Sequence, residues 1–118
     1  MQATMRKELN EVSQRELRLL KNTFGSKSRV ASFLGVNRSR LSHWGPKESP
    51  HKDNQFKINS LYYIVTRLLQ VYQPPTIEKW LFGINTHLAN QRPIDLVVND
   101  RIAEVLAAIE QADTGAYA

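Results

Sequence analysis

The sequence predicts an all-α protein: an N-terminal helix-turn-helix followed by a second small helical unit. Three observations carry that expectation. Apolar residues recur at helical spacing, most broadly at Leu61, Ile64, Val65, Leu68, Leu69 and Tyr72. The stretch Lys27 to Pro46, KSRVASFLGVNRSRLSHWGP, holds two short amphipathic segments on either side of Gly35. Charge divides the chain as well. Residues 1–52 carry 11 Lys/Arg against 4 Asp/Glu, net +7, while residues 53–118 carry 5 against 7, net −2, which together make the +5 of the 118-residue chain.

No regular element is assigned to the first dozen residues, where Arg6 and Lys7 belong either to a basic arm or to a solvated terminus. Ser13 opens the first helix: Ser13 and Glu16 have capping-box spacing, and Val12 is placed to pack on Leu17 as a hydrophobic staple. Leu17, Leu20 and Phe24 form its buried face and Gly25 stops it. Arg15, Arg18 and Lys21 fall largely outside that face, either solvated or against phosphate. Ser26 caps the next helix, which runs to about Leu34 with Val30, Phe33 and Leu34 as core candidates and Lys27 and Arg29 more exposed. Ala31 is small enough for a close helix contact, and Gly35 takes a left-handed bend without a Cβ penalty. Asn37 caps the following helix, whose Leu41 and Trp44 face inward.

Residues 45–55, GPKESPHKDNQ, read as a connector broken by Gly45, Pro46 and Pro50. Its Lys47, His51 and Lys52 either extend a basic footprint or line a solvated loop. The apolar stripe of residues 61–72 must bury itself against another element, inside the chain or against a second copy. Pro74 and Pro75 end that helix. Thr76 caps a short helix with Ile77, Trp80 and Leu81, closed by Phe82 and Gly83. INTHLANQRPIDLVVND is compact and turn-rich, with Pro93 in the first turn of a small helix, where its missing donor costs little. The last helix begins near Asp100 and buries Ile102, Val105, Leu106 and Ile109. Thr114 to Ala118 form a loose tail with an aromatic handle at Tyr117.

Composition excludes several classes. A hydrophobic content of 42% argues against general disorder. The absence of cysteine removes disulfides and cysteine-rich metal sites. No apolar run approaches the ~20 residues of a membrane span, and MQATMRKELNE lacks the apolar core of a signal peptide, so a cytoplasmic protein without membrane contact is expected. His43, His51 and His87 have no metal-ligand spacing, and Asp95 and Asp100 form no evident acid/base pair. There is no Gly-rich phosphate loop. Neither enzyme activity, a metal nor a cofactor is expected.

A basic front half attracts a phosphate backbone, and a helix-turn-helix sets its second helix in a major groove. The outer face of that helix offers Arg38, Ser39, Ser42 and His43, with Asn37 at its start. Arg, Ser and Asn bond base edges and phosphates alike. Arg40 lies further from that line and reads as a phosphate contact, as does Lys27; His43 either joins the face or covers Trp44. The candidate DNA-binding set is therefore Lys27, Asn37, Arg38, Ser39, Arg40, Ser42 and His43. Double-stranded operator DNA is the expected partner. A single helix-turn-helix has a small contact area, so paired half-sites and at least a dimer are expected.

The back half carries Trp80-Leu81-Phe82, then Asn85, Leu88, Arg92-Pro93-Ile94-Asp95-Leu96, and then a helix with Val105-Leu106-Ala107, Ile109 and Glu110. This pattern resembles the toxin-binding domain of the Xre/MbcA/ParS antitoxins, and the stretch from Ala31 through Gly35 to Trp44 is similar to the Xre-type DNA-binding half of that family. The resemblance covers about residues 13–113. One departure is visible: where the family usually has a glycine before the Pro-x-Asp-Leu element, this chain has Ala89-Asn90-Gln91. The resemblance implies an antitoxin of a type II toxin–antitoxin pair, with a RES-domain toxin that consumes NAD+ as its partner. It implies that the front domain represses the shared operon, as a homodimer or as a hetero-oligomer with the toxin. The implied division is a helix-turn-helix domain over 1–55, a connecting helix over 56–75 and a toxin-binding domain with its tail over 76–118. By matching position, Trp80, Arg92, Pro93, Asp95 and Leu96 belong to the toxin-binding module. Trp80, Pro93 and Leu96 build its fold, and Arg92 and Asp95 either face the toxin or stabilise their own turns. In the tail, Tyr117 and Asp113 are candidates to enter an NAD+ cleft, the ring by stacking and the carboxylate against a phosphate-binding group. The alternative is a stand-alone helix-turn-helix regulator; a third class, a helical partner-binding protein that never touches DNA, conflicts with the basic front half.

Overall fold

The computed structural model describes residues 14–36 and 52–114, with side chains described over 14–36 and 55–113. Numbered along those residues, α1 covers 14–24, α2 Lys27–Leu34, α3 Lys52–Leu69, α4 Pro74–Phe82, α5 Pro93–Val98 and α6 Ile102–Thr114, with a 3-10 turn at Thr86–Leu88. The described residues are all-α, as expected; their only extended pairing is an isolated antiparallel bridge between Asn85 and Gln91. The expected groove-entering helix around Arg38 to Trp44, and its cap Asn37, lie outside the described residues. Among those described, no helix is long and apolar enough to cross a membrane. The chain divides into two compact units, Met1–Tyr62 and Tyr63–Ala118.

In the first unit, α1 buries Leu17, Leu20 and Phe24 and exposes Arg15, Arg18 and Lys21. This is the one-sided pattern that a 3.6-residue period produces. The helix stops at Gly25, whose φ of 100° is left-handed and whose amide donates to the Lys21 carbonyl at 2.7 Å. Ser26 is the cap of α2: its backbone is extended, and its hydroxyl accepts from the Arg29 amide at 3.2 Å. Val30, Ala31 and Leu34 are buried. The helix closes in a Schellman pattern, with Gly35 at φ 68°, Gly35 N donating to Ser32 O and Val36 N donating to Ala31 O. Phe33, a core candidate from the sequence, is only half-buried. Its ring meets the Phe24 ring edge-on, with centroids 4.7 Å apart and an 86° interplanar angle. From α3, Ile58 and Leu61 are fully buried, and Lys57 Nζ donates to the Leu34 carbonyl at 3.5 Å. That cation sits at the negative end of α2.

In the second unit, Ile64, Val65 and Leu68 of α3 are fully buried, so this part of the stripe is covered within the chain. Leu69 is 37% exposed and Tyr72 half-buried, which narrows the expected stripe at its end. The helix also starts earlier than expected, at Lys52 inside the stretch read as a connector, and it ends at Leu69, short of the prolines. Pro74 and Pro75 do not terminate α3; they open α4, with Gln73 at the N-cap position. The same steric rule that makes proline a terminator pushes the residue before it into extended backbone, which is what an N-cap position needs. Gln73 is extended accordingly (φ −81°, ψ 157°), and Thr76 is inside the first turn rather than its cap. Helix α4 buries Ile77 and Leu81, and α5 starts on Pro93 and buries Ile94, Leu96 and Val97. Asp100, expected near the start of the last helix, instead takes a left-handed φ of 60° in the turn after α5. The Arg101 amide then reaches back to the Leu96 carbonyl at 2.9 Å, and α6 begins at Ile102. Val105, Ala108 and Ile109 of α6 are buried, whereas Ile102 and Leu106 are only half so. Helix α4 packs on α5, α5 on α6, and α6 on the 3-10 turn. Each fully buried Leu, Ile or Val contributes about 1.5–3 kcal/mol relative to exposure, so this closely connected set can hold a small unit together.

Candidate functional site

Of the expected DNA-binding residues, Lys27 alone is described; it occupies the first position of α2 and is half-buried. Asn37, Arg38, Ser39, Arg40, Ser42 and His43 lie outside the described residues. Beside Lys27, the first unit presents Arg15, Arg18, Lys21 and Arg29 as exposed cations. Arg29 lies over the Phe33 ring, 5.8 Å from its centroid.

The second unit carries the richer local geometry, on the segment between α4 and α5. Trp80, in the last part of α4, is half-buried. Gly83 ends the helix with its amide on the Lys79 carbonyl at 2.9 Å. A Cβ at Gly83 would stand only 2.9 Å from that carbonyl oxygen, so the approach itself demands glycine. Ile84 follows and is 72% exposed. Asn85 then fixes the loop in three ways. It pairs with Gln91 in the bridge, its side-chain oxygen accepts from the His87 amide at 2.9 Å, and its carbonyl accepts from Leu88 and Asn90. Leu88 anchors the turn by burial.

The turn reverses through Ala89 at φ 55° and Asn90 at φ 64°. Two consecutive left-handed residues stand where the resembling family usually has glycine. Asn adopts that region more readily than most residues, whereas Ala carries its full Cβ cost there.

Arg92 and Asp95, at either end of the first turn of α5, are brought together. Arg92 Nε donates to Asp95 Oδ2 at 3.0 Å and Nη2 donates to Oδ1 at 2.9 Å, with both side chains about half exposed. This is the two-pronged fit of a planar guanidinium to a carboxylate. The hydrogen bonds that Arg92 donates to Asp95, followed by the Asp95 charge, hold its guanidinium above the usual arginine range. The Arg92 guanidinium carbon lies over the Phe82 ring, 5.9 Å from its centroid. Asn99 Nδ2 donates to the Asp95 carbonyl at 2.7 Å and ties the pair to the end of α5. Pro93 and Leu96 are buried, as fold-building residues should be. Asp113 is exposed near the end of α6, and Tyr117 lies outside the described residues.

Sequence reasoning paired neither Phe82 with Arg92 nor singled out Ile84. The Arg-x-x-Asp spacing was the available signal for the ion pair. For Ile84 the signal was an apolar residue without a periodic partner, set between Gly83 and Asn85 in a turn-rich stretch. Among the described residues, no group of three His, Cys, Asp or Glu side chains could hold a metal ion.

No family model matches the chain, and no solved structure matches it. Its sequence is similar to that of a probable mycobacterial cidal antitoxin of Mycobacterium tuberculosis, with 28% identity over 88 residues, 75% of this chain and 76% of that protein. Those 88 residues exceed the length of either compact unit, so the likeness extends across parts of both.

Proposed function

We propose that this chain is the antitoxin of a type II toxin–antitoxin pair of the Xre/MbcA/ParS kind. In this reading the second unit binds and neutralises a RES-domain, NAD+-consuming toxin. The front of the chain represses the shared operon through a helix-turn-helix, with Arg38, Ser39, Ser42 and His43 reading bases and Lys27 and Arg40 on phosphate. The protein acts in the cytoplasm as a homodimer or as a hetero-oligomer with the toxin.

The observation that carries the reading is the likeness to an antitoxin over three quarters of the chain. The run from Trp80 to Leu96, which resembles the toxin-binding signature, supports it as well. Asp113 and Tyr117 extend the proposal to the tail, which would enter the NAD+ cleft. A tyrosine gives large contact area for little rotamer entropy, which suits an anchor.

The test mixes purified RES-domain toxin with the full chain, with residues 1–112 and with Y117A, and follows NAD+ loss. Full-length protein is expected to stop the loss. Retained inhibition by residues 1–112 would remove the tail from the mechanism and leave the folded surface as the inhibitor. Failure of the full chain to bind the toxin or slow NAD+ loss would overturn the antitoxin reading. The basic front half would then favour a stand-alone regulator, which binds its operator and needs no toxin.

A further inference from the structure

Single exposed apolar side chains are ordinary on protein surfaces. Ile84 differs in how firmly it is held. Gly83 before it is pressed against the Lys79 carbonyl, and Asn85 after it is bridged to Gln91 and bonded to His87. The bridge joins Asn85 to Gln91, the residues that adjoin Ile84 and Arg92 along the chain. The backbone of a 72% exposed isoleucine is thus fixed in advance, which lowers the ordering cost of any complex that buries it.

Its surroundings specify the chemistry of the partner. Arg92 lies on the Phe82 ring, and its donors on one edge are closed by both oxygens of Asp95. The charge of Arg92 is matched by Asp95, so this guanidinium is not a free cation for a phosphate backbone. An exposed aliphatic side chain on the same segment as an aromatic ring covered by a guanidinium is instead the composition of a protein–protein interface core. Residues 53–118 also carry a net charge of −2, which disfavours nucleic acid here.

We propose that Ile84 is the anchor of the toxin-contact surface, inserting into an apolar recess of the RES-domain toxin, with the Arg92–Asp95 pair on Phe82 as a rigid part of the same segment. The inference rests on the antitoxin reading and deepens it. It makes the toxin the occupant because Ile84 lies inside the run from Trp80 to Leu96 on which that reading places toxin binding.

The experiment compares the full-length chain with I84D and I84A, measuring toxin affinity by calorimetry, inhibition of NAD+ loss, operator affinity, self-association by light scattering, and Tm. Because Ile84 faces solvent, both variants should keep the wild-type Tm and operator affinity. I84D is expected to weaken toxin binding by about 30-fold or more, and I84A by a smaller factor, as for a buried interface anchor. Wild-type toxin affinity in both variants, with the wild-type chain itself binding toxin, would overturn the inference and leave the antitoxin reading standing. A change in self-association with toxin affinity intact would assign the patch to a second copy and overturn the inference equally. If the wild-type chain does not bind the toxin, the antitoxin reading fails and the inference falls with it.

Discussion

Glu16 shows how one side chain can act against its own fold. It lies in the first turn of α1, half-buried, and its Oε2 has no hydrogen-bond partner among the described residues. Burial pushes its carboxyl above the ordinary range, and the neighbouring Arg15 charge only partly pulls it back. The folded chain therefore holds this proton more tightly than the unfolded chain does. Between the ordinary glutamate value of the unfolded chain and the raised folded value, stability must fall as pH rises, because over that window the folded state binds more protons. Glu16→Gln removes the charge and keeps an acceptor at a position where a capping box uses either residue. The variant should therefore melt higher than wild type at neutral pH, and the gap should close as pH drops below the window. Thermal melts from pH 4 to pH 7 measure it, and parallel curves for the two proteins would show that burial of Glu16 carries no net cost.

At the scale of elements, α3 shows what becomes of an apolar stripe. Leu61, Ile64, Val65 and Leu68 are fully closed to solvent, while Tyr63 on the same helix is half exposed. Leu68→Ala should cost about 2–5 kcal/mol, the range for a deleted core leucine. Tyr63→Ala should stay within about 0.5 kcal/mol, as for a surface position. Urea unfolding of the two variants reads the difference, and equal losses would mean that Tyr63 is covered in solution. Much of the helical architecture was legible in the sequence because each sign had one local cause. Ser26 caps α2, Gly25 and Gly35 take left-handed backbone, and Pro93 opens α5. The misreadings came where one residue type serves two ends. Pro74 and Pro75 can follow a helix or begin one, and only the extended Gln73 decides for the second. Loop geometry was less legible. Alanine by itself does not signal the positive φ of Ala89, which only the missing family glycine hints at, and the approach of Arg92 to the Phe82 ring joins residues ten apart across a turn whose path no periodicity reveals.

At the scale of the whole molecule, the uneven charge predicts different physics for the two partners proposed above. Residues 1–52 hold 11 of the 16 Lys/Arg, whereas the proposed toxin anchor is an isoleucine on the same segment as a closed ion pair. Binding that neutralises phosphates releases counterions, and each contact adds about −0.9 to the slope of log affinity against log salt. Six phosphate contacts in a dimeric complex, three from each copy, would lower duplex affinity by about a thousandfold between 50 and 200 mM salt. Burial of an apolar anchor releases water rather than counterions, so toxin affinity should move by less than about threefold over the same range. Fluorescence anisotropy on operator duplex and calorimetry on the toxin, run on one preparation across that salt series, separate the two. Arg38→Ala should reduce duplex affinity and relax the preference at one base pair, while Lys27→Ala should weaken all duplexes alike and make the salt slope shallower. Neither substitution should change toxin affinity. A duplex curve as flat as the toxin curve would count against a phosphate-bound front half, and a toxin curve as steep as the duplex curve would mean that the partner is held by charge rather than by Ile84.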